Sequence, residues 1–165
     1  MRLLGYSHMT HAPYFSERVE NNDLSAVLRA ASLRQSFDDW PWYQLYPQLD
    51  KAFPGSRFVL TSRPSEKWVK SLLNHMANRP VPDDWMRRLK RLLYGFEFYG
   101  ATEEALIARY EQHNSEARSY FSNRPGDFVE LDWTNGAGWA ELCGFLGVKP
   151  PSIPLPHSNR GVYKQ

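Results

Sequence analysis

An arginine and a serine eight residues apart follow the clearest strand that the sequence predicts. The apolar, β-branched run at 57–62 predicts a buried strand, and Arg63 comes directly after it. Pro64 suits the first turn of a helix that carries Ser71 about two turns along. A helix N-terminus attracts anions, Arg63 can add a bidentate contact to a phosphate, and Ser71 can donate one more hydrogen bond. The spacing therefore indicates a phosphate site. The structural alternative is that Arg63 pairs with Asp132 and Ser71 only packs.

Strands alternate with helices along the chain, which predicts an α/β fold with a mainly parallel sheet. The predicted strands cover 36–39, 57–62 and 128–132, and the predicted helices cover 23–33, 64–78, 84–94 and 102–121, with a short one before Phe53 and one ending at Gly147. Right-handed crossovers place the carboxyl ends of such strands at one edge, where ligands bind. Polar residues follow these ends at Asp38/Asp39, Ser62/Arg63 and Asp132. We therefore expect the chemistry at that edge.

The composition is that of a single globular domain. The sequence contains 42% hydrophobic and 23% charged residues, a composition that excludes a disordered chain. Its length of 165 residues is too short for two full domains. The net charge of +2 is too small to indicate a nucleic-acid-wrapping protein. Cys143 is the only cysteine, so an internal disulfide is excluded. No apolar run is long enough to cross a bilayer and no signal peptide is recognisable, so we expect a cytoplasmic protein.

Several motifs taken together resemble the sulfotransferases that use 3′-phosphoadenosine 5′-phosphosulfate (PAPS). The helix end Leu-Tyr-Pro-x-Leu-x-x-x-Phe-Pro-Gly at 45–55 precedes a strand-Arg-Pro-(six residues)-Ser motif. The resemblance continues through Leu-Asp-Trp-Thr at 131–134, the helix at 138–147 and a proline-rich tail that ends at Asn159. It covers roughly residues 36–160 and implies a three-layer, P-loop NTPase-like domain over 1–165. It also implies sulfuryl transfer from PAPS to a hydroxyl or amine, without a metal.

The resemblance assigns roles to residues at the donor site. It implies that Arg63 and Ser71 hold the 3′-phosphate of PAPS, or of the product adenosine 3′,5′-bisphosphate (PAP). It also implies that a basic-Gly segment, Arg160 and Gly161 here, closes over the nucleotide. We therefore expect a cofactor site made by the strand–helix segment at 63–71 together with the tail.

An aspartate occupies the place where many cytosolic relatives carry a catalytic histidine before x-Pro. Here the segment is Asp39-Trp40-Pro41, so the resemblance implies that Asp39 activates the acceptor, with Asp38 as the reserve candidate. Burial near Trp40 and Trp42 would raise the pKa of such a carboxyl group and let it act as a base. The alternative is a helix-capping aspartate beside core tryptophans.

Aromatic residues near Asp39 and after the fourth predicted helix are candidates for an acceptor pocket. The candidates are Trp40, Trp42, Tyr43, Phe96 and Tyr99. The acceptor would be a small molecule or a glycan, while core packing is the alternative for these rings. His8 and His11 could reach the same place from the N-terminal loop. The basic segment 87–91 suits the solvated face of an amphipathic helix, so no nucleic-acid partner is expected.

The sequence departs from the family pattern at its beginning. The Gly/Lys/Ser/Thr-rich loop that cradles the 5′-phosphosulfate in relatives has no counterpart, and residues 3–6 resemble the end of the helix that follows it. We therefore expect an N-terminally truncated form of the fold, with exposed strand edges that favour a homo-oligomer. The alternative function is a catalytically inactive remnant that acts as a nucleotide-binding or interaction module. A kinase or NTPase is disfavoured because no Gly-x-x-x-x-Gly-Lys-Ser/Thr occurs.

Overall fold

The strands form two parallel pairs. The structure is a computed structural model that describes residues 1–79 and 81–156. Its strands are β1 His8–Met9, β2 Ser36–Phe37, β3 Phe58–Ser62 and β4 Phe128–Asp132. β1 pairs with β2, and β3 pairs with β4, each time in parallel. The α/β class and the parallel pairing predicted from the sequence are therefore confirmed, as two two-stranded sheets within the part of the chain that is described.

Helices connect and cover the strands. They are α1 Ser16–Glu20, α2 Ser25–Ala31, α3 Tyr46–Ala52, α4 Ser65–Ala77, α5 Asp84–Tyr94, α6 Glu103–Phe121 and α7 Trp139–Leu146. Short 3-10 segments cover Arg2–Leu4, Pro13–Phe15, Trp42–Gln44 and Trp133–Asn135. The helix predicted at 23–33 is shorter than expected, because the Asp23 carboxylate accepts a hydrogen bond from the Ser25 hydroxyl at 2.7 Å and starts the helix after that turn.

The β3–β4 pair sets the edge at which chemistry was predicted. Its register places Phe58 opposite Phe128 and Ser62 opposite Asp132, so both strands end together. Arg63 therefore leaves β3 beside the end of β4. Because Asp39 follows β2, which pairs with β1, it belongs to the other sheet.

Three apolar clusters hold these elements together. One packs α2 and α3 around Trp42, and includes Ala12, Phe15, Val27, Ala31, Leu45 and Leu49. A second joins Trp40 to Leu89 and Leu93 of α5. The third packs Val69 of α4 against Leu106 of α6 and Phe98. Through these clusters the segment after β2 is fixed to α5, and α4 is fixed to α6.

Candidate active site

Asp39 lies on an exposed turn at the end of β2. Its backbone has φ of 64°, a left-handed conformation that aspartate tolerates better than most residues. One carboxylate oxygen accepts a hydrogen bond from the Trp40 N–H at 2.7 Å. The same oxygen lies 3.6 Å from Nδ1 of His11, and the neighbouring Asp38 lies 3.4 Å from Nε2 of His8. The turn thus presents two carboxylate–histidine pairs side by side.

The two tryptophans beside Asp39 are interior residues. Trp40 is 0% exposed and its indole N–H donates to the Ser16 hydroxyl at 3.2 Å. Trp42 is 3% exposed and its indole N–H donates to the Thr10 carbonyl at 3.0 Å. These rings do not bury Asp39, because they turn into two separate clusters and leave the Asp39 side chain 57% exposed.

A cavity of about 560 Å³ lies between the end of α5 and the middle of α6. The residues lining it are Gln44, Leu92, Leu93, Tyr94, Gly95, Phe96, Ala105, Ala108, Arg109 and Gln112. Phe96, a predicted acceptor residue, is therefore on the cavity wall. Tyr99 is not among the lining residues; its ring packs on the Arg87 guanidinium at 5.3 Å and edge-to-face on Phe98.

Charges at the cavity act on buried phenols. Burial raises the pKa of Tyr94 to about 12, Arg109 opposes the rise, and the Asp39 carboxylate adds to it. Burial also raises the pKa of Tyr43 well above its usual range, again with contributions from Arg109 and Asp39. Both phenols therefore stay protonated at neutral pH. The Tyr43 N–H donates to the Asp39 carbonyl at 3.2 Å, and Tyr43 and Tyr94 pack on the same apolar cluster, so the Asp39 turn adjoins the cluster that borders the cavity.

Arg63 is fixed through its backbone by α6. Its N–H donates to the Tyr110 hydroxyl at 3.0 Å, and that hydroxyl donates to the Arg63 carbonyl at 3.1 Å. The Tyr110 ring in turn stacks on Trp68 of α4 at 4.4 Å. The end of β3 and the start of α4 are therefore held together by one phenol.

The Arg63 guanidinium has no ion pair with a carboxylate among residues 1–79 and 81–156. Asp132, the partner considered above, instead accepts hydrogen bonds from the Thr134 N–H at 2.7 Å and the Thr134 hydroxyl at 2.6 Å. These bonds hold the pKa of Asp132 below its usual range. The arrangement leaves the cation at the strand end able to meet an anion.

Ser71 and the tail complete the set of predicted donor residues. Ser71 is half-buried in α4, roughly 9 Å along the helix axis from Ser65. Arg160 and Gly161 lie outside the described residues. The structure thus joins Asp39 to Tyr43 through a backbone hydrogen bond of 3.2 Å and places Phe96 on the cavity wall. Arg63 follows β3, and Ser71 lies in the second turn of α4.

Arg109 is the site residue that sequence reasoning missed. Its Nη1 atom is buried and has no hydrogen-bond partner among the described residues. A signal was present, because Arg109 follows buried Leu106 by three residues and precedes half-buried His113 by four, on one face of α6. A charged residue on a partly buried helix face indicates a paired charge or a ligand.

The basic residues of α5 contact their own chain. Arg88 pairs with Glu20, and Arg91 lies 3.3 Å from Glu97. The Lys90 ammonium lies 5.0 Å from the centre of the Phe98 ring, and its pKa is lowered by burial. Several basic side chains of the segment 87–91 therefore contact residues of their own chain.

Comparison with known proteins identifies the family. Among the helices described, none is long and apolar enough to cross a membrane. None of the curated proteins compared with the chain matches it. The family model described as "Sulfotransferase domain" matches residues 4–162, which is nearly the whole sequence. The chain therefore belongs to the sulfotransferase family.

Proposed function

We propose that this protein transfers a sulfuryl group from PAPS to a hydroxyl or amine of a small-molecule or glycan acceptor. Family membership supports sulfuryl transfer in general. The observation that carries the donor assignment is Arg63, a cation without a carboxylate partner among the described residues, held at a strand end by Tyr110. In this proposal the two strand pairs belong to one mainly parallel sheet with helices on both faces, as in the three-layer, P-loop NTPase-like fold.

The donor is held by residues of the β3–α4 connection. Arg63 makes a bidentate contact to the 3′-phosphate, and the free N–H groups of the first turn of α4 add positive potential. Ser71 donates a further hydrogen bond from the second turn. Arg160 and Gly161 close over the nucleotide from the tail. PAPS supplies the sulfuryl group and leaves as PAP.

The acceptor is activated at the Asp39 turn. The Asp39 carboxylate takes the proton of the acceptor hydroxyl as the oxygen bonds to sulfur, and the His11 ring lies 3.6 Å from that carboxylate. Trp40 and Trp42 support the turn from the interior rather than touching the acceptor. Phe96 contributes an aromatic wall of the cavity, and Tyr43, which packs on the Trp40 cluster, backs the acceptor site from that side.

Calorimetric titration with PAP tests the donor site. The parent chain is compared with Arg63→Ala and with Arg29→Ala, which removes the same charge from an exposed position on α2. Losing a charge-assisted contact costs about 1.5–3 kcal/mol, so Arg63→Ala should weaken binding roughly 10- to 100-fold. Arg29→Ala should bind as the parent does.

The same titration separates the alternative function. A folded parent that does not bind PAP, or an Arg63→Ala variant that binds equally well, refutes the assignment of the 3′-phosphate to this strand end. Binding that depends on Arg63, without transfer to any acceptor, identifies the chain as a nucleotide-binding module rather than an enzyme.

A further inference from the structure

The cavity beside α6 has an unusual charge pattern. Its walls are mostly apolar or aromatic, from Leu92, Leu93, Tyr94 and Phe96. Arg109 is the only charged residue among the ten that line it. A pocket of this size, with apolar walls and one charged group, fits a small ligand and fixes its orientation by that charge.

The Arg109 guanidinium is incompletely satisfied. Its Nη1 atom is shielded from solvent and has no hydrogen-bond partner within the described part of the chain. Buried arginine nitrogens are normally hydrogen-bonded, because an unpaired buried donor on a charged group is costly. Nη1 itself is closed off from the cavity, so an anion there would meet the un-neutralised guanidinium charge through the part of Arg109 that lines the wall.

The neighbours of Arg109 do not neutralise it. The titratable groups on which its charge acts are Tyr43, Tyr46, Tyr94 and His113. The phenols stay protonated, and His113 tends to stay neutral because burial and Arg109 both lower its pKa. The nearby carboxylates, Asp39 and Glu116, act on the same rings, and neither forms an ion pair with Arg109 in the residues described.

Two amides and a phenol line the same cavity as Arg109 and suit the rest of a ligand. Gln44 donates its amide N–H to the Leu93 carbonyl at 2.5 Å, and Gln112 donates to Glu116 at 2.8 Å. The first bond holds the part-buried Gln44 amide in place, and the protonated Tyr94 hydroxyl can donate to an oxyanion. An aromatic ring can stack on the apolar wall that Phe96 provides.

We propose that this cavity is a subsite for the acceptor's own negative charge: it binds an aromatic carboxylate, with Arg109 holding the carboxylate and Phe96 contacting the ring. The inference deepens the proposed function, since it takes the cavity as the acceptor side of the sulfotransferase. Its acceptors are phenolic acids rather than neutral phenols. The reacting hydroxyl would then point towards the Asp39 turn, whose backbone carbonyl accepts from the N–H of Tyr43, a neighbour of Tyr94 on one apolar cluster.

The test measures binding without any donor. The probes are 4-hydroxyphenylacetate and its neutral analogue 4-(2-hydroxyethyl)phenol, titrated into the parent chain. One charge-assisted contact in a partly open pocket should make the acid bind about 10-fold more tightly. Arg109→Gln should abolish this preference. It should not unfold the protein, because the removed Nη1 donor has no partner among the described residues, and a thermal melt checks this.

Two further variants sharpen the result. Arg118→Gln also removes one positive charge from α6, at a position where Arg118 pairs with Glu130 at 2.7 Å. This variant should keep the preference for the acid. Ala108→Leu narrows the cavity at an exposed helical position without touching the charge, and should weaken both probes alike. Loss of discrimination in Arg109→Gln alone supports the subsite.

The inference is overturned if the parent binds the two probes equally or binds neither. It is also overturned if Arg109→Gln still prefers the acid. PAP binding separates this inference from the proposed function. If the chain prefers the acid through Arg109 but does not bind PAP, the carboxylate subsite is supported and the PAPS donor site is refuted. If the chain binds PAP but shows no preference between the probes, the donor site is supported and the carboxylate subsite is refuted.

Discussion

Replacing Tyr110 with phenylalanine removes the hydroxyl that holds both backbone groups of Arg63. The hydroxyl accepts from the Arg63 N–H at 3.0 Å and donates to its carbonyl at 3.1 Å, while the ring stacks on Trp68 and would stay in place. Each hydrogen bond contributes about 0.5–1.5 kcal/mol, so Tyr110→Phe should lower the free energy of unfolding by about 1–3 kcal/mol. A loosened strand end should also weaken PAP binding roughly 3- to 10-fold, because Arg63 is no longer pre-positioned.

Urea unfolding and PAP calorimetry on the same samples measure the two effects. Tyr120→Phe is the matched control, since its hydroxyl donates to Asp50 at 2.8 Å on a different part of α6. It should lose stability but keep the PAP affinity of the parent. The positioning role of Tyr110 is refuted if Tyr110→Phe is destabilised while PAP affinity, measured on folded protein, is unchanged.

Two further predictions concern stability. Asp50 accepts hydrogen bonds from Arg124 at 2.6 and 3.0 Å, which lower its pKa in the folded state. The ionised Asp50 carboxylate therefore adds to the free energy of unfolding above the pKa that it has in the unfolded chain. This contribution is lost as the pH falls through its lower pKa in the folded protein. Asp50→Asn should be less stable than the parent at pH 7, with a difference that shrinks below about pH 4 in denaturant titrations. Trp40→Ala should lose about 3–5 kcal/mol in the same assay, because Trp40 is fully buried against α5, whereas Trp85→Ala, at a half-exposed position, should lose much less.

Each of these predictions has a result that contradicts it. A deficit in Asp50→Asn that is independent of pH would mean that the ion pair does not stabilise the fold through the Asp50 charge. Asp127→Asn serves as its control, because Asp127 lies 3.6 Å from the same arginine and is more exposed. Equal losses in Trp40→Ala and Trp85→Ala would contradict the central packing role of Trp40.

The sequence predicted the first and last residues of an element well where a capping residue stands at each end. α5 begins and ends at the predicted residues, since the Asp83 carboxylate accepts from the Met86 N–H and Gly95 adopts φ of 80° after the last turn. The apolar strands β3 and β4 were likewise predictable from composition. Their parallel pairing followed from the helices between them.

The environment of the site residues depended on contacts far apart in sequence. Nothing local shows that Trp40 packs on α5 while Trp42 packs on α2 and α3, and this division leaves Asp39 exposed. The importance of Arg109 likewise depends on which segment covers α6. The sequence therefore predicted which residue types could do chemistry better than it predicted their burial.

Transfer from radiolabelled PAPS to a panel of phenols, alcohols and amines tests the central claim most directly. The parent chain should label at least one acceptor, and Asp39→Asn should lower kcat/KM about 100-fold or more while the Kd for PAP stays the same. His11→Gln is run beside it, because His11 lies next to Asp39 without being assigned the proton. A folded parent that binds PAP and labels nothing, or an Asp39→Asn variant as active as the parent, would contradict the proposed mechanism.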